Sequence, residues 1–236
     1  MTPSDTHLVL IPAYNAGPNL RRTVAACLSR WQPVWVVDDG STDGSAAGLE
    51  AAGLRVIHRE RNGGKGAAVR TGLLEAERAR FTHVLVMDAD GQHPAEQIAA
   101  FMAASLAEPA AMILGQPQFG ADAPRARVVG RRVANAMAAM LTAGYGVGDA
   151  LFGFRVYPIR PLLDTMQESK WMQRFDFDAE ALIRLAWRGV KPVKLPVPVR
   201  YFPPSEGGVS HYRYLRDNLL LGWMHLRLLT RLLSRK

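Results

Sequence analysis

The sequence has little cysteine, few acidic residues relative to basic ones, and no long uncharged apolar run. Cys27 is the only cysteine, which excludes an internal disulfide and a zinc site built from several cysteines. The first residues also lack the basic segment that opens a signal peptide. Both absences fit a reducing compartment, so we expect a cytoplasmic protein.

The balance of charge predicts an anionic partner. Lys and Arg number 29 against 21 Asp and Glu, which gives a formal net charge of +8. Nucleic acid, a nucleotide, a phospholipid or a lipid phosphate would each suit this charge. Hydrophobic residues at 48% with 21% charged residues are typical of an ordered globular protein.

Short apolar runs alternate with helical patterns through the first half of the chain, as in repeated β-α-β units. We therefore predict an α/β fold with a mostly parallel central sheet. The predicted strands cover residues 8–11, 34–37, 54–57, 83–87 and 111–114. The predicted helices lie around Leu20–Leu28, at 45–52, from about 66 to 79, and from 94 to about 106.

The fourth predicted strand ends in two carboxylates. Asp88 and Asp90 follow a buried Val-Leu-Val-Met run, and Gln92 comes two residues later. Asp is rare inside strands, so these side chains belong at the carboxyl end of the strand, where open α/β sheets bind ligands. Two carboxylates and an amide oxygen suit Mg²⁺ or Mn²⁺ carrying a phosphorylated substrate. The alternative is an Asx-turn that only closes the strand and caps the next helix.

Two further turns are expected at the same edge. Asp38 and Asp39 end the second strand, where a carboxylate can bind a base or a ribose hydroxyl, or can simply stabilise the turn. Gly63–Gly66, which includes Lys65, opens a helix whose first amides favour phosphate. The spacing of a Walker A loop is absent.

Four segments occur in the order found in family 2 glycosyltransferases: Ile11–Asn15, Val37–Asp43, Asn62–Ala68 and Met87–Pro94. The chain most resembles the dolichol-phosphate mannosyltransferase and polyprenyl-phosphate glycosyltransferase branch, over roughly residues 8–200. The resemblance implies a glycosyltransferase A-type nucleotide-sugar-binding fold. It also implies a divalent cation held by Asp88, Asp90 and Gln92. It places the nucleotide sugar near Pro12, Tyr14, Asn15, Asp39, Lys65 and Asp88.

The second half resembles the acceptor side of the same family. Arg131 and Arg132 resemble a basic pair at the acceptor phosphate, to which we add Arg213, although a solvated basic helix face would give the same pattern. The segments 149–157, 175–180 and 193–199 resemble three further family motifs. Lys194 and Pro117 depart from the family pattern, the first where an acidic residue is common and the second where the mannosyltransferase branch often has a basic one.

The last segment, residues 210–236, is predicted to form a basic amphipathic helix beside a catalytic domain of residues 1–209. Arginines interrupt the apolar residues, which excludes an ordinary transmembrane span of ~20 apolar residues. The helix is expected either to lie on an anionic membrane surface or to pack on its own domain. The predicted apolar face of this helix consists of Leu215, Leu219, Trp223, Leu226, Thr230 and Leu233.

These patterns together predict an inverting, metal-dependent transfer of a sugar from a nucleoside diphosphate sugar, with inversion implied by the resemblance. The expected acceptor is a lipid phosphate at the inner face of the membrane, which needs no strong base. For a hydroxyl acceptor, Asp149 is the predicted base. We assign catalytic roles to Asp90, Asp149 and Arg131.

Two other functions were weighed. A haloacid dehalogenase-like phosphatase would use Asp88 as its nucleophile, but it leaves Asp39 and the glycine-rich turn unexplained. A non-catalytic nucleic-acid-binding protein would fit the charge, but the chain has no nucleic-acid-binding signature, and we expect no nucleic acid partner.

Overall fold

The computed structural model describes residues 3–118, 125–199 and 214–234. Within these ranges, seven strands form one sheet in the spatial order β3-β2-β1-β4-β6-β5-β7. β6 runs antiparallel to both of its neighbours, and the other pairs are parallel. The predicted mostly parallel α/β sheet is therefore confirmed. The strands are β1 His7–Ala13, β2 Val34–Asp38, β3 Leu54–His58, β4 His83–Val86, β5 Met112–Gln118, β6 Arg155–Pro158 and β7 Pro192–Pro198.

Helices cover both faces of the sheet. The α-helices in the described ranges are α1 Pro18–Leu28, α2 Lys65–Arg78, α3 Ile98–Ala107, α4 Arg125–Leu141, α5 Ile159–Gln167, α6 Asp176–Trp187 and α7 Tyr214–Leu233. Helices α1 and α3 pack on one face, and the remaining five lie over the other. A short 3₁₀ turn, Ala95–Gln97, leads into α3.

The central strands are apolar because both of their faces are covered. All seven residues of β1 are buried. Leu8 and Leu10 pack with the five-helix layer, whereas Val9 and Ile11 pack with α1 and α3. A strand buried on both sides needs a continuous apolar run, which is why the sequence pattern located it well.

The helix predicted at residues 45–52 is wrong, because this segment consists of turns. Gly44 and Gly48 have φ angles of 71° and 61°, outside the right-handed helical region. The guanidinium of Arg21 donates to the carbonyl groups of Ala47 and Gly48, which removes acceptors that a helix would use. β6, α5 and α6 were not predicted from the sequence.

Helix α7 packs on the rest of the chain through Leu221, Met224 and Leu228, which are buried in the core on the five-helix face. No helix in the described ranges is long and apolar enough to cross a membrane. The proposed boundary between residues 209 and 210 lies outside the described residues.

Candidate active site

The candidate site lies at the sheet edge where β1, β2 and β4 end. These three strands are parallel neighbours, so their carboxyl ends meet there. β6 begins at the same edge, since Arg155 pairs with Val86. The loops that follow the three strands, together with the loop before β6, therefore surround one region, as the carboxyl edge of an open α/β sheet does for its ligands.

Lys65 is the cation at the centre of this region. Its Nζ atom lies 2.6 Å from Oδ1 of Asp88 and 2.7 Å from Oδ2 of Asp178. Burial works to lower the pKa of Lys65, but the charges of Asp178 and Asp88 outweigh it and raise the pKa above its ordinary value. Lys65 is thus held as a buried cation between two carboxylates. Sequence reasoning missed Asp178 at this position.

Gly153 closes the site from the side of β6. A Cβ atom at this position would lie 2.5 Å from Nζ of Lys65 and 3.1 Å from Oδ2 of Asp88. A side chain at this position would displace the ammonium group of Lys65, so glycine preserves the contacts of the charged cluster. The glycine in the segment 149–157, noted as part of a family motif, therefore has a direct steric reason.

The charge of Asp88 opposes the ionisation of Asp90. Burial and the charge of Asp88 raise the pKa of Asp90. Burial also disfavours the charged form of Asp88, but Lys65 and His93 hold the pKa of that carboxyl below its usual range. His93 accepts a hydrogen bond from the Asp88 amide through Nδ1, at 3.1 Å.

The chemistry of this turn fits a divalent cation. Positive charge would relieve the conflict that raises the pKa of Asp90. Among the described residues, no cluster of three or more His, Cys, Asp or Glu side chains is arranged to hold a metal. Proteins often bind Mg²⁺ through only one or two carboxylates, and the phosphates of the substrate then complete its coordination. The carboxylates of Asp88 and Asp90, with the side-chain amide oxygen of Gln92, are a set of this kind. The Asx-turn is present as well, because Oδ1 of Asp90 accepts a hydrogen bond from the backbone N–H of Gln92 at 2.9 Å.

Asp39 is tied to the glycine-rich turn. Its Oδ1 accepts from the Gly63 amide at 3.0 Å, and its Oδ2 accepts from the Gly64 amide at 2.7 Å. Arg59 donates to the same carboxylate. Asp39 therefore fixes the backbone of the turn before α2. Its expected contact with the nucleoside stays a prediction.

The same turn rests on the segment before α6. The Ala67 amide donates to the carbonyl oxygen of Gln173 at 3.0 Å. A Cβ on Gly66 would collide with the carbonyl oxygen of Met172. The glycines therefore shape the turn and also allow it to contact a segment more than a hundred residues further along the chain.

Asn15 joins the loops that follow β1 and β2. Its backbone has a φ of 46°, a left-handed conformation that Asn tolerates better than most residues. Oδ1 of Asn15 accepts from the amides of Thr42 and Asp43, at 2.8 and 3.3 Å. Pro12 is buried in β1 and Tyr14 is half-buried in the loop after it, so both lie at the predicted edge.

Arg131 and Asp149, which the sequence predicts on the acceptor side, form an ion pair. Nη1 of Arg131 lies 2.6 Å from Oδ1 of Asp149, whose other oxygen accepts from Nδ2 of Asn135 at 3.1 Å. The Leu151 amide donates to Oδ1 as well. Arg132 is exposed, and Arg213 lies outside the described residues.

Comparison with known proteins identifies the family. Residues 8–164 match the model of the family described as Glycosyl transferase family 2. The chain belongs to glycosyl transferase family 2, and it is a glycosyltransferase. The dolichol- and polyprenyl-phosphate branch that the motifs indicated is confirmed by relatives named below. The phosphatase and nucleic-acid-binding alternatives are set aside.

Two curated relatives cover most of this family 2 glycosyltransferase. Glycosyltransferase AglJ of Haloferax volcanii is 30% identical over 226 residues, which is 92% of this chain and 70% of the relative. Polyprenol monophosphomannose synthase of Mycolicibacterium smegmatis is 30% identical over 222 residues, covering 88% of this chain and 81% of the relative. An undecaprenyl-phosphate 4-deoxy-4-formamido-L-arabinose transferase of Pseudomonas aeruginosa is 41% identical over 108 residues, covering 41% of this chain and 31% of the relative.

A solved structure confirms the glycosyltransferase A-type fold. Glucosyl-3-phosphoglycerate synthase of Mycobacterium tuberculosis, solved with Mn²⁺ and UDP-glucose, superposes with a TM-score of 0.68 and 22% identity. The superposition covers 98% of this chain and 78% of the synthase. At this identity the likeness shows the fold alone.

Proposed function

We propose that this glycosyltransferase moves a sugar from a nucleoside diphosphate sugar to a lipid phosphate, with Mg²⁺ or Mn²⁺ at the Asp88–Asp90 turn. The observation that carries the proposal is the charged cluster of Lys65, Asp88, Asp90 and Asp178 at the ligand-binding edge. The polyprenol and undecaprenyl-phosphate enzymes among the relatives support a lipid phosphate as the acceptor.

On the donor side, acidic and basic residues of the chain would position the cation and the diphosphate. Asp88, Asp90 and the Gln92 amide would hold the cation, which when bound supplies positive charge to the departing diphosphate. Lys65 fixes Asp88 in place through its 2.6 Å contact. Asp39 holds the turn before α2 by accepting from the Gly63 and Gly64 amides. The other amides at the start of α2 are the proposed phosphate donors. Pro12, Tyr14 and Asn15 are the proposed neighbours of the nucleoside.

On the acceptor side, a phosphate monoester is already ionised near pH 7 and can attack without a strong base. Arg131 and Arg132 are proposed to hold this anion in line with the sugar. The carboxylate of Asp149 accepts from Arg131, from Asn135 and from the Leu151 amide. A carboxylate engaged in this way is suited to orient Arg131, so we propose a positioning role for Asp149 in place of general base catalysis.

The test is a panel of nucleoside diphosphate sugars, measured by calorimetry with and without Mn²⁺. The donor that binds in a metal-dependent way is then supplied with a polyprenyl phosphate in detergent, and the product is identified by mass spectrometry. A glycosyl lipid phosphate with inverted anomeric configuration is the expected product. Metal-independent donor binding would contradict the metal assignment, and transfer only to soluble acceptors would contradict the lipid acceptor.

A further inference from the structure

The outer face of α7 is apolar and exposed. Large apolar side chains recur along it at helical spacing, and each remains substantially open to solvent: Leu215 79%, Leu219 65%, Trp223 48%, Leu226 52% and Leu233 63% exposed. These are residues that the sequence analysis placed on one face. Apart from Trp223, whose ring also packs against Trp171, these side chains point away from the protein, while Leu221, Met224 and Leu228 bury the opposite side. The helix thus packs on its own domain and still presents a second apolar face.

The outer face of α4 has the same character. Val133 is 62% exposed and Met140 is 51% exposed, and Ala136 and Ala139 lie exposed beside them. No charged residue occurs between Arg132 and Asp149 in the sequence. An exposed helix face with this composition is unusual for a surface that meets only water.

The two faces belong to one surface. Helices α4 and α7 contact each other, and both contact α6 beneath them. Their outward sides therefore point away from the same support. We refer to the exposed residues Val133, Met140, Leu215, Leu219 and Leu226 as the α4–α7 face.

The described arginines of α7 are paired with the chain's own carboxylates. Nη2 of Arg227 lies 2.9 Å from Oε2 of the fully buried Glu180, and Nη2 of Arg231 lies 3.7 Å from Oε2 of Glu168. Arg216 pairs with Asp217. Arg227 therefore points into the protein and is not directed toward solvent. The attraction that remains at this surface is mainly apolar.

We propose that the α4–α7 face is a docking surface for a lipid bilayer, in which its apolar side chains enter the boundary between headgroups and acyl chains. The proposal rests on the lipid-phosphate acceptor of the proposed function. Three observations favour a bilayer over other occupants. Helix α4 carries both Val133 on this face and Arg131 at the site. Arg132, exposed next to them, makes no ion pair with any described residue. The chain as a whole carries a charge of +8, which suits the anionic lipids of a membrane surface.

This arrangement has a specific consequence for salt. Surface attraction between charges is screened at high ionic strength, whereas burial of apolar area is not. Binding to vesicles should therefore persist when salt removes the contribution of the net charge.

The test is co-sedimentation of the full chain with phosphatidylcholine–phosphatidylglycerol vesicles at 0.1 and 0.5 M NaCl. Leu219→Gln/Leu226→Gln on α7 and Val133→Gln/Met140→Gln on α4 should each weaken binding at high salt by about tenfold or more, because each pair removes two inserting side chains. Leu106→Gln is the matched control, since Leu106 is 56% exposed on α3 at the opposite face of the sheet. Point variants are preferred to truncation, because removing α7 would uncover its buried side.

The outcomes separate this proposal from the proposed function. Loss of vesicle binding by both double variants, with unchanged circular dichroism and unchanged transfer to a short-chain isoprenyl phosphate in solution, supports the docking surface. Vesicle binding equal to that of the unmodified chain overturns it. So does sedimentation velocity showing a dimer that the same substitutions dissociate, with no vesicle binding. If vesicles bind through this face but no lipid phosphate is glycosylated, the docking surface stands and the proposed acceptor falls.

Discussion

Lys65 donates to the first carboxylate of the Asp88–Asp90 turn and to Asp178 at the same time, so one ammonium group bridges two acids from distant parts of the chain. Its side chain is 10% exposed, and that of Asp178 is 9% exposed. Removing one partner of a buried ion pair leaves an uncompensated charge. The resulting loss of stability exceeds the net stabilisation that the pair provides.

Lys65→Met should therefore lower the free energy of unfolding by about 3–5 kcal/mol. Mn²⁺ should raise the melting temperature of this variant more than that of the unmodified chain, since a cation can replace the missing charge beside Asp88. Differential scanning fluorimetry with and without Mn²⁺ measures both effects. Lys191→Met, at an exposed position, is the control. Equal responses to Mn²⁺ in all three proteins would argue against a cation site at this turn.

Asp90→Ala should abolish metal-dependent donor binding and transfer while leaving the fold intact. Burial and Asp88 already raise the pKa of Asp90, so losing this carboxylate removes a repulsion and should not lower the melting temperature. Calorimetric titration of Mn²⁺ with the nucleoside diphosphate detects the loss. Glu96→Ala removes an exposed carboxylate from the same connection and should bind the donor normally. Full transfer activity in Asp90→Ala would rule out the metal role.

Asp39→Ala should weaken nucleoside diphosphate binding even without metal, because the glycine-rich turn loses the acceptor for two of its amides. Without this anchor the turn should no longer hold its other amides against the diphosphate. A hydrogen bond to an ionised group contributes ~1.5–3 kcal/mol, so losing one should lower affinity by about tenfold or more. Asp39→Asn keeps one acceptor oxygen, so its affinity for the diphosphate should lie between those of the unmodified chain and of Asp39→Ala. Isothermal titration with the diphosphate alone makes the comparison, and unchanged affinity in the Ala variant would mean that the turn does not contribute to binding.

Asp149→Asn distinguishes orientation from proton transfer. The amide keeps one acceptor for the guanidinium of Arg131 but cannot take up a proton. If Asp149 positions Arg131, the variant should retain measurable transfer with an unchanged pH profile and a raised KM for the acceptor. Loss of a general base would lower kcat by about 10²–10⁴-fold instead. Steady-state kinetics from pH 6 to 9 on this variant and on Arg131→Met gives the answer.

His7 should make the protein less stable in mild acid. Burial, with a smaller contribution from His83, lowers the pKa of His7 from 6.5 to about 4. The unfolded chain therefore binds more protons than the folded one between these values, so stability is present above pH 6.5 and is lost as the pH falls toward 4. The shift corresponds to at most about 3 kcal/mol. Melting curves from pH 4 to 7 should be flatter for His7→Leu than for the control His58→Leu, and parallel curves would contradict the assignment.

The sequence located the parts of the site that follow central strands. β1, β2 and β4 are buried on both sides, so their apolar runs are unmistakable, and the residues that end them must lie at one edge. Asp88, Asp90 and Asp39 were found in this way. Their positions were predictable even though the partners of Asp39 were not.

What the sequence did not reveal depends on contacts between distant segments. β6 contains Arg155, a charged residue that is fully buried because Tyr157 and the carbonyl oxygens of Asp149 and Asp178 accept from its guanidinium. A pattern of apolar residues cannot indicate such a strand. Asp178 was missed for the same reason, since its partner Lys65 lies 113 residues earlier in the chain.

Trp171 links two regions that the chain order keeps far apart. The guanidinium of Arg227 lies 4.2 Å from the centroid of the Trp171 ring, and Trp223 packs edge-on against the same ring. The next two residues, Met172 and Gln173, contact the start of α2 through their carbonyl groups. In amide hydrogen exchange, the first turn of α2, residues 171–173 and the middle of α7 should therefore open as a single cooperative unit. A sugar donor that rigidifies the glycine-rich turn should then also slow amide exchange in the middle of α7.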